Sequence, residues 1–472
     1  MKIDKHITPE SLKTALETFW DHSARKIQLI RDEYDPSAGS PVFTADGKYS
    51  TRGWTEWTQG FQFGSEIIQF DVTGEKKFLD LGRSATLNLM APHITHTGVH
   101  DHGFNNVSTY GALWRLHKEG RIGDNGWERN FYELALKNTG AVQASRWTRR
   151  SPVGDVAASG KATGKEGFIY SFNGPHSLFV DTVRTLRALA LSHRLGHVLQ
   201  GEHDEVISLL GRLVEHARST ALFNIYYGEG RDAYDVNGRT AHEAVFNTND
   251  GNFRCPNSQQ GFSPFSTWTR GLSWAMAGYP ELLEFLQTVE DDELATFGGR
   301  DAIEAMMLKA ARATCDFYIE NTSSDGIPYW DTGAPELHRL GDYRSREADP
   351  YNDFEPVDSS AAAIGAQGLL RLGKFLQDRG EKEQGGRYWQ AGLQVVRTLL
   401  EEPYLSTDDR HQGLLLHSVY HRPNGWDYIP DGKKVPCGES SMWGDYHVRE
   451  VMLYVWRIIS GSSYYTFFGE KD

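Results

Sequence analysis

The sequence predicts an all-α protein. Three observations carry that expectation: amphipathic helix patterns, a second class of small-residue helix starts between them, and a near-constant spacing of those starts. Thr8-Pro9 forms an N-cap and N1 pair, and Leu12, Ala15, Leu16 and Phe19 follow it at i, i+3, i+4, i+7, one face of a 3.6-residue helix. Asp204 is expected to open another such helix, with Val206, Leu209, Leu210, Leu213 and Val214 behind it. Ile303, Met306, Met307 and Ala310 mark a third, and Leu393, Val396, Leu399 and Leu400 a fourth. Strand-like alternation is scarce and short.

The second class of start is polar or aromatic and runs into small residues. Its members are Trp57-Thr-Gln-Gly-Phe61, Asp101-His-Gly-Phe104, Asp181-Thr-Val-Arg-Thr-Leu186, Trp268-Thr-Arg-Gly-Leu-Ser-Trp274, Asp358-Ser-Ser-Ala-Ala-Ala-Ile364 and Trp443-Gly-Asp-Tyr446. With 57, 101, 181, 270, 358 and 445 as anchors, the steps are 44, 80, 89, 88 and 87 residues. The last three suggest a spatial period of one helix pair. A helix flanked on both sides must be thin and apolar all round, as Ala361, Ala362, Ala363 and Gly365 would make it, while its outer partner is amphipathic. Six such pairs close into an (α/α)6 toroid, with residues 1–472 as one catalytic domain and residues 1–50 as its first outer helix and a leading loop. The six inner N-termini would then share one rim, and the polar anchors would converge on a pocket. Asp and Ser cap helices everywhere; it is the six anchors together, four of them aromatic-bearing, that point to a site.

Composition narrows the function. The net charge of −14 argues against an electrostatic nucleic-acid binder. No run of about 18 apolar residues marks a membrane span, and the first residues lack the apolar stretch of a signal peptide. Cys255, Cys315 and Cys437 are odd in number and far apart, giving neither a disulfide framework nor a zinc knuckle. A cytoplasmic enzyme is the expectation. Aromatic residues make up 12% of the chain, which suits sugar stacking as well as core filling.

Motif by motif, the chain resembles the unsaturated glucuronyl hydrolases of glycoside hydrolase family 88. Trp57-Thr-Gln-Gly-Phe-Gln-Phe-Gly64 is similar to that family's W-T-x-G-F-x-x-G, and His100-Asp101-His102-Gly103-Phe104 to its H-D-x-G-F. Ser266-Thr-Trp-Thr-Arg270-Gly-Leu-Ser-Trp274, the most specific segment, resembles S-T-W-[ST]-R-G-x-x-W. Asp181, Gly326-Ile-Pro-Tyr-Trp-Asp331, the helix opened by Asp358, and Trp443-Gly-Asp-Tyr446 complete the set, from about residue 50 to 460.

The resemblance implies an (α/α)6 barrel with no metal and no organic cofactor. Its substrate would be an oligosaccharide made by a polysaccharide lyase, ending in a 4,5-unsaturated uronic acid. The C4=C5–O5 unit is an enol ether, so acid attacks C4 rather than the glycosidic oxygen. Asp181 is expected to be the acid and then the base, with Asp101 a second essential carboxylate holding ring and water. Two close carboxylates raise one another's proton affinity, and helix N-termini pull the other way. The substrate-binding set carried over is Trp57, His100, Phe172, His242, Gln260, Arg270 and Trp274, with Arg270 and Trp274 on one helix face. Arg270 would fork onto a carboxylate or ring hydroxyls. His93, His96, His100 and His102 cluster locally, and read without the resemblance they could bind zinc.

There are departures. Phe172 stands where the family often has Trp, which keeps a stacking face but loses the indole N–H, and Gln259 stands where the family can have His. The segment from Tyr420 to Met442 is longer than the family pattern. Trp426 in it would stack on the leaving sugar, and Lys433 and Lys434 could meet an anionic group. The lyase product used and the oligomeric state stay open. Competing readings are another toroid enzyme (an unsaturated rhamnogalacturonyl hydrolase, an inverting glycosidase or a sugar epimerase) and a non-catalytic sugar-binding protein.

Overall fold

Ala361, Ala362, Ala363 and Ala366 have no exposed surface, as a helix wrapped by other helices requires. The helix they belong to, Ser359–Asp378, is one of six inner helices in a computed structural model that describes residues 1–52, 56–123, 126–152 and 166–469. The other five are Gln59–Thr73, a composite of His102–Asn106, Val107–Gly111 and Ala112–Lys118, a second composite of Thr182–Thr185 and Arg187–Arg194, then Thr269–Leu286 and Met442–Ile459. Each packs on the next, and the last packs on the first, so the ring is closed. The outer helices are Lys13–Glu33, Lys76–Leu89, Gly126–Ser145, Leu209–Phe223, Arg300–Asn321 and Lys382–Leu399. The mainly α class and the (α/α)6 architecture are therefore as predicted.

Close packing explains two motif glycines. A Cβ at Gly60 would run into the backbone of Asn105, and one at Gly103 into that of Thr185. These are the seams between the first, second and third inner helices, so glycine in W-T-x-G-F and H-D-x-G-F sets how closely the inner helices approach.

Strands are short, two to five residues each among the described residues. One small sheet matters: Ser177–Phe179, Glu243–Phe246 and Phe253–Asn257 pair antiparallel in that order, with Phe179 opposite Glu243. It delivers the chain directly into Asp181, and Val180 N–H donates to the His242 carbonyl at 2.9 Å.

The expected helix start at Asp204 is corrected. Asp204 has a positive φ of 60°, Val206–Ile207 is a two-residue strand, and the helix begins at Leu209 behind Ser208, whose hydroxyl accepts from Gly211 N. Ser208 is the better cap because its backbone is extended while its side chain reaches the first turn.

Candidate active site

Contacts among their first residues put the inner helices' N-termini on one rim. Trp57 stacks on Trp443 with ring centroids 5.1 Å apart. Arg270 Nη1 lies 3.3 Å from Asp358 Oδ2, and His100, beside Asp101, reaches Asp181. At this rim opens a cavity of about 240 Å³, somewhat smaller than ordinary ligand clefts (roughly 300–1,000 Å³). Aromatic rings dominate its lining: Trp57, Phe104, Phe172, Trp268, Trp274, Tyr420 and Trp426. The polar lining includes Asp101, Asp181, His100, Gln260, Arg270 and Asn424.

Asp101 and Asp181 stand at the N-cap positions of the second and third inner helices, yet neither side chain makes a capping hydrogen bond. Both turn instead to one imidazole. His100 Nε2 lies 3.2 Å from Asp181 Oδ1 and 3.3 Å from Asp101 Oδ1. The His100 ring is 1% exposed, wedged near Phe172 and Phe179, and its carbonyl is held by Gln143 Nε2 at 2.8 Å and Thr185 Oγ1 at 3.0 Å.

The two carboxyls are unequal. Burial pushes Asp101 above its ordinary pKa, with His100 opposing and the charge of Asp181 adding to the rise. Burial pushes Asp181 the same way, but the hydrogen bond and charge of His100, followed by His242 and Arg270, outweigh it and hold Asp181 below its ordinary value. His100 shows the converse: burial alone would lower it, but the charge of Asp101 and the hydrogen bond to Asp181 raise it. The higher proton affinity thus falls on Asp101, an asymmetry that mutual repulsion alone does not give.

Arg270 borders the cavity and also carries protein contacts that its motif does not show. Its guanidinium is buried between Trp268 and Trp443. Nη1 is taken by Asp358 and the Val419 carbonyl, and Nη2 by Gln260 Oε1 at 2.8 Å and the Tyr420 carbonyl at 2.8 Å. Both terminal nitrogens of the fork thus have protein acceptors while the side chain borders the cavity. Arg270 thereby fixes the amide of Gln260, which presents Nε2 as its donor. His242 also sits one layer back: its Nδ1 accepts from the backbone N–H groups of Gln259 and Gln260 at 3.1 and 3.3 Å, so its hydrogen lies on Nε2, which has no protein partner among the described residues. Burial lowers this ring to about 4, so it is neutral near pH 7. Asp331 steadies the same loop by accepting from Phe262 N at 2.8 Å.

The long segment from Tyr420 to Met442 divides. Tyr420, His421, Asn424 and Trp426 line the cavity, held by Asp427, whose carboxylate accepts from the Tyr420 and His421 N–H groups. Lys433 lies over Tyr351 at 5.3 Å and Lys434 pairs with Asp353 at 3.0 Å; neither lines the cavity, so the expected cationic contact is not formed there. Asn105 and Val99 also line the cavity, and no motif in the sequence marks them as lining residues. Of the histidine cluster, His93 is engaged by Gln59 and Asn105, and His102 by Thr139 and the His96 carbonyl. Among the described residues, no group of three or more candidate ligands is placed to hold a metal.

No family model matches the chain. It is 24% identical to an unsaturated glucuronyl hydrolase of Bacillus sp. strain GL1, over 94% of this chain and 96% of the relative. It is 22% identical to an unsaturated chondroitin disaccharide hydrolase of Streptococcus pyogenes serotype M1, over 92% and 89%. The fold superposes on the crystal structure of the Bacillus sp. GL1 unsaturated glucuronyl hydrolase with a TM-score of 0.67 at 20% identity, covering 97% of this chain and 100% of that one.

Proposed function

We propose that the chain, which belongs with the unsaturated glucuronyl hydrolases, removes a terminal 4,5-unsaturated glucuronic acid from lyase-generated oligosaccharides by hydrating the C4=C5 enol ether, with Asp181 as acid and base. The observation that carries this reading is the pair of aspartates at inner-helix N-termini, neither used as a cap, both on His100 within an aromatic cavity. An enol ether needs one proton at carbon and one activated water, which a single carboxyl can supply in turn. Asp181 gives its proton to C4, the C4–C5 π pair forms the C4–H bond, and charge develops at C5 and O5. Water adds at C5 and returns a proton to Asp181, with Asp101 holding that water. The C5 hemiketal opens, and the C1 hemiacetal it leaves releases the remaining saccharide.

Trp57, Phe172 and Trp274 wall the uronate ring. Gln260 Nε2 is a donor for its carboxylate, with His242 N–H behind it. Arg270 acts through Gln260 and through the 419–420 backbone, and Trp426 and Tyr420 take the leaving sugar. The distance rule for the two carboxylates of ordinary glycosidases does not apply, because the bond attacked first is a C=C bond.

The test is a panel of lyase-made disaccharides followed by ultraviolet absorbance. Loss of the unsaturated-uronate band together with release of a reducing sugar supports the reading. Release of sugar with the band retained means an ordinary glycosidase, and no turnover on any member means a binding protein.

A further inference from the structure

Asp181 poses a problem for that mechanism. An acid must arrive protonated, yet the His100 hydrogen bond favours its carboxylate form. The group responsible also holds the remedy. His100 Nε2 is hydrogen-bonded to Asp181 Oδ1 at 3.2 Å and lies 3.3 Å from Asp101 Oδ1, so it carries a hydrogen and donates it to Asp181. Its Nδ1 is buried and has no hydrogen-bond partner among the described residues. Where a catalytic histidine usually has its second nitrogen locked from behind, no described group accepts from or donates to Nδ1 here, and the imidazolium can give up its Nε2 hydrogen while keeping the one on Nδ1.

We infer that His100 is the proton-holding partner of Asp181, and that filling the cavity passes the Nε2 proton to Asp181 Oδ1 before C4 is attacked. The inference rests on the function proposed above. The step balances: the Nε2–H bond breaks, the Oδ1–H bond forms, and an imidazolium–carboxylate pair becomes a neutral pair. Asp181 then protonates C4, recovers a proton from the water added at C5, and that proton returns to Nε2. Substrate drives the transfer by expelling water, because an ion pair loses more from desolvation than a neutral pair does. The uronate carboxylate adds negative charge that further disfavours the Asp181 carboxylate.

The charged and titratable groups around His100 are compatible with this. Asp101 and Asp181 face it from the inner helices and raise its pKa, and Arg146, just past the outer helix Gly126–Ser145, opposes them. His216, from the outer helix Leu209–Phe223, is lowered by burial to about 3, and His242, beside the small sheet, to about 4, so both are neutral near pH 7. His100, assigned from sequence to substrate contact, becomes a positioning residue that acts through Asp181.

The test is the pH profile of kcat in His100→Gln, which keeps an N–H donor but cannot hold a mobile proton. In the wild type, the alkaline limb follows loss of the imidazolium, above the ordinary histidine value of about 6.5. In the variant the acid is a carboxyl alone. The limb is expected to move down by more than one pH unit, with the ratio of rates at pH 5 and pH 8 rising at least about tenfold. A variant slowed equally at every pH, with its limb in place, overturns the inference and leaves the proposed function standing. A wild type inactive on every unsaturated uronide overturns both. Should the variant not fold, nitrogen-15 spectra of histidine-labelled wild-type and Asp181→Asn protein decide. One ring titrating above the ordinary range and falling in Asp181→Asn supports the inference; no such ring overturns it.

Discussion

The rim of the toroid carries four aspartates at or near inner-helix starts, and its two sides use them differently. On one side Asp358 caps its helix, accepting from Ser360 N at 3.0 Å and Ala361 N at 3.4 Å, and its other oxygen faces Arg270. Nearby, Asp445 accepts from Leu414 N, Leu415 N, Ser440 Oγ and Tyr49 O–H. Those carboxylates are spent on structure. On the other side Asp101 and Asp181 decline the cap and share one imidazole at an open cavity. The same residue type at an equivalent fold position becomes a fastener or a reagent according to whether backbone N–H groups claim its oxygens.

The sharpest way to break this contrast is Asp181→Asn. The amide keeps shape and hydrogen bonding but cannot deliver a proton, so turnover should fall by at least the roughly 10²–10⁴ expected of general acid–base catalysis while substrate still binds. A variant that keeps a tenth of the wild-type rate contradicts the assignment. Asp358→Ala should do the reverse. It removes a cap contributing about 0.5–2 kcal/mol and strands a buried guanidinium, for which losing the partner costs roughly 3–5 kcal/mol. Denaturant unfolding should show a large loss of stability for Asp358→Ala and a smaller one for Asp181→Asn; equal losses would erase the distinction between the two sides.

The aromatic anchors and their spacing made the toroid legible, because an inner helix can be built only from residues thin enough to be surrounded. Asp204 misled because hydrophobic periodicity continues past a true cap: Val206 fits the helical pattern but lies in a strand before Ser208. Within the site, motif positions brought the right side chains to one cavity but not their roles. Arg270 finds its carbonyl acceptors 149 and 150 residues away, and no local pattern reports that. The inequality of Asp101 and Asp181 comes from where one imidazole points, which spacing does not encode.

Smaller effects sharpen the picture of the mouth. Arg270→Lys keeps the charge but loses the fork that orients Gln260. KM should rise about tenfold, near the loss of one charged hydrogen bond, and an unchanged KM would mean that Gln260 needs no such support. Trp426→Ala should raise KM a few-fold across disaccharides with little change in kcat, because binding common to ground and transition states is removed. Replacing Lys433 and Lys434 together should change neither constant beyond about twofold on neutral or sulfated substrates, since surface pairs contribute little. A selective loss on sulfated sugars would return those lysines to the site.

The central claim is that carbon, not the glycosidic oxygen, receives the proton. Running the reaction in deuterium oxide and sampling at early turnover, before the released keto acid exchanges, reads that proton directly by NMR. The account predicts one deuterium on a single face of C4 for each saccharide released. Early product that is fully released yet carries no deuterium at C4 would contradict it.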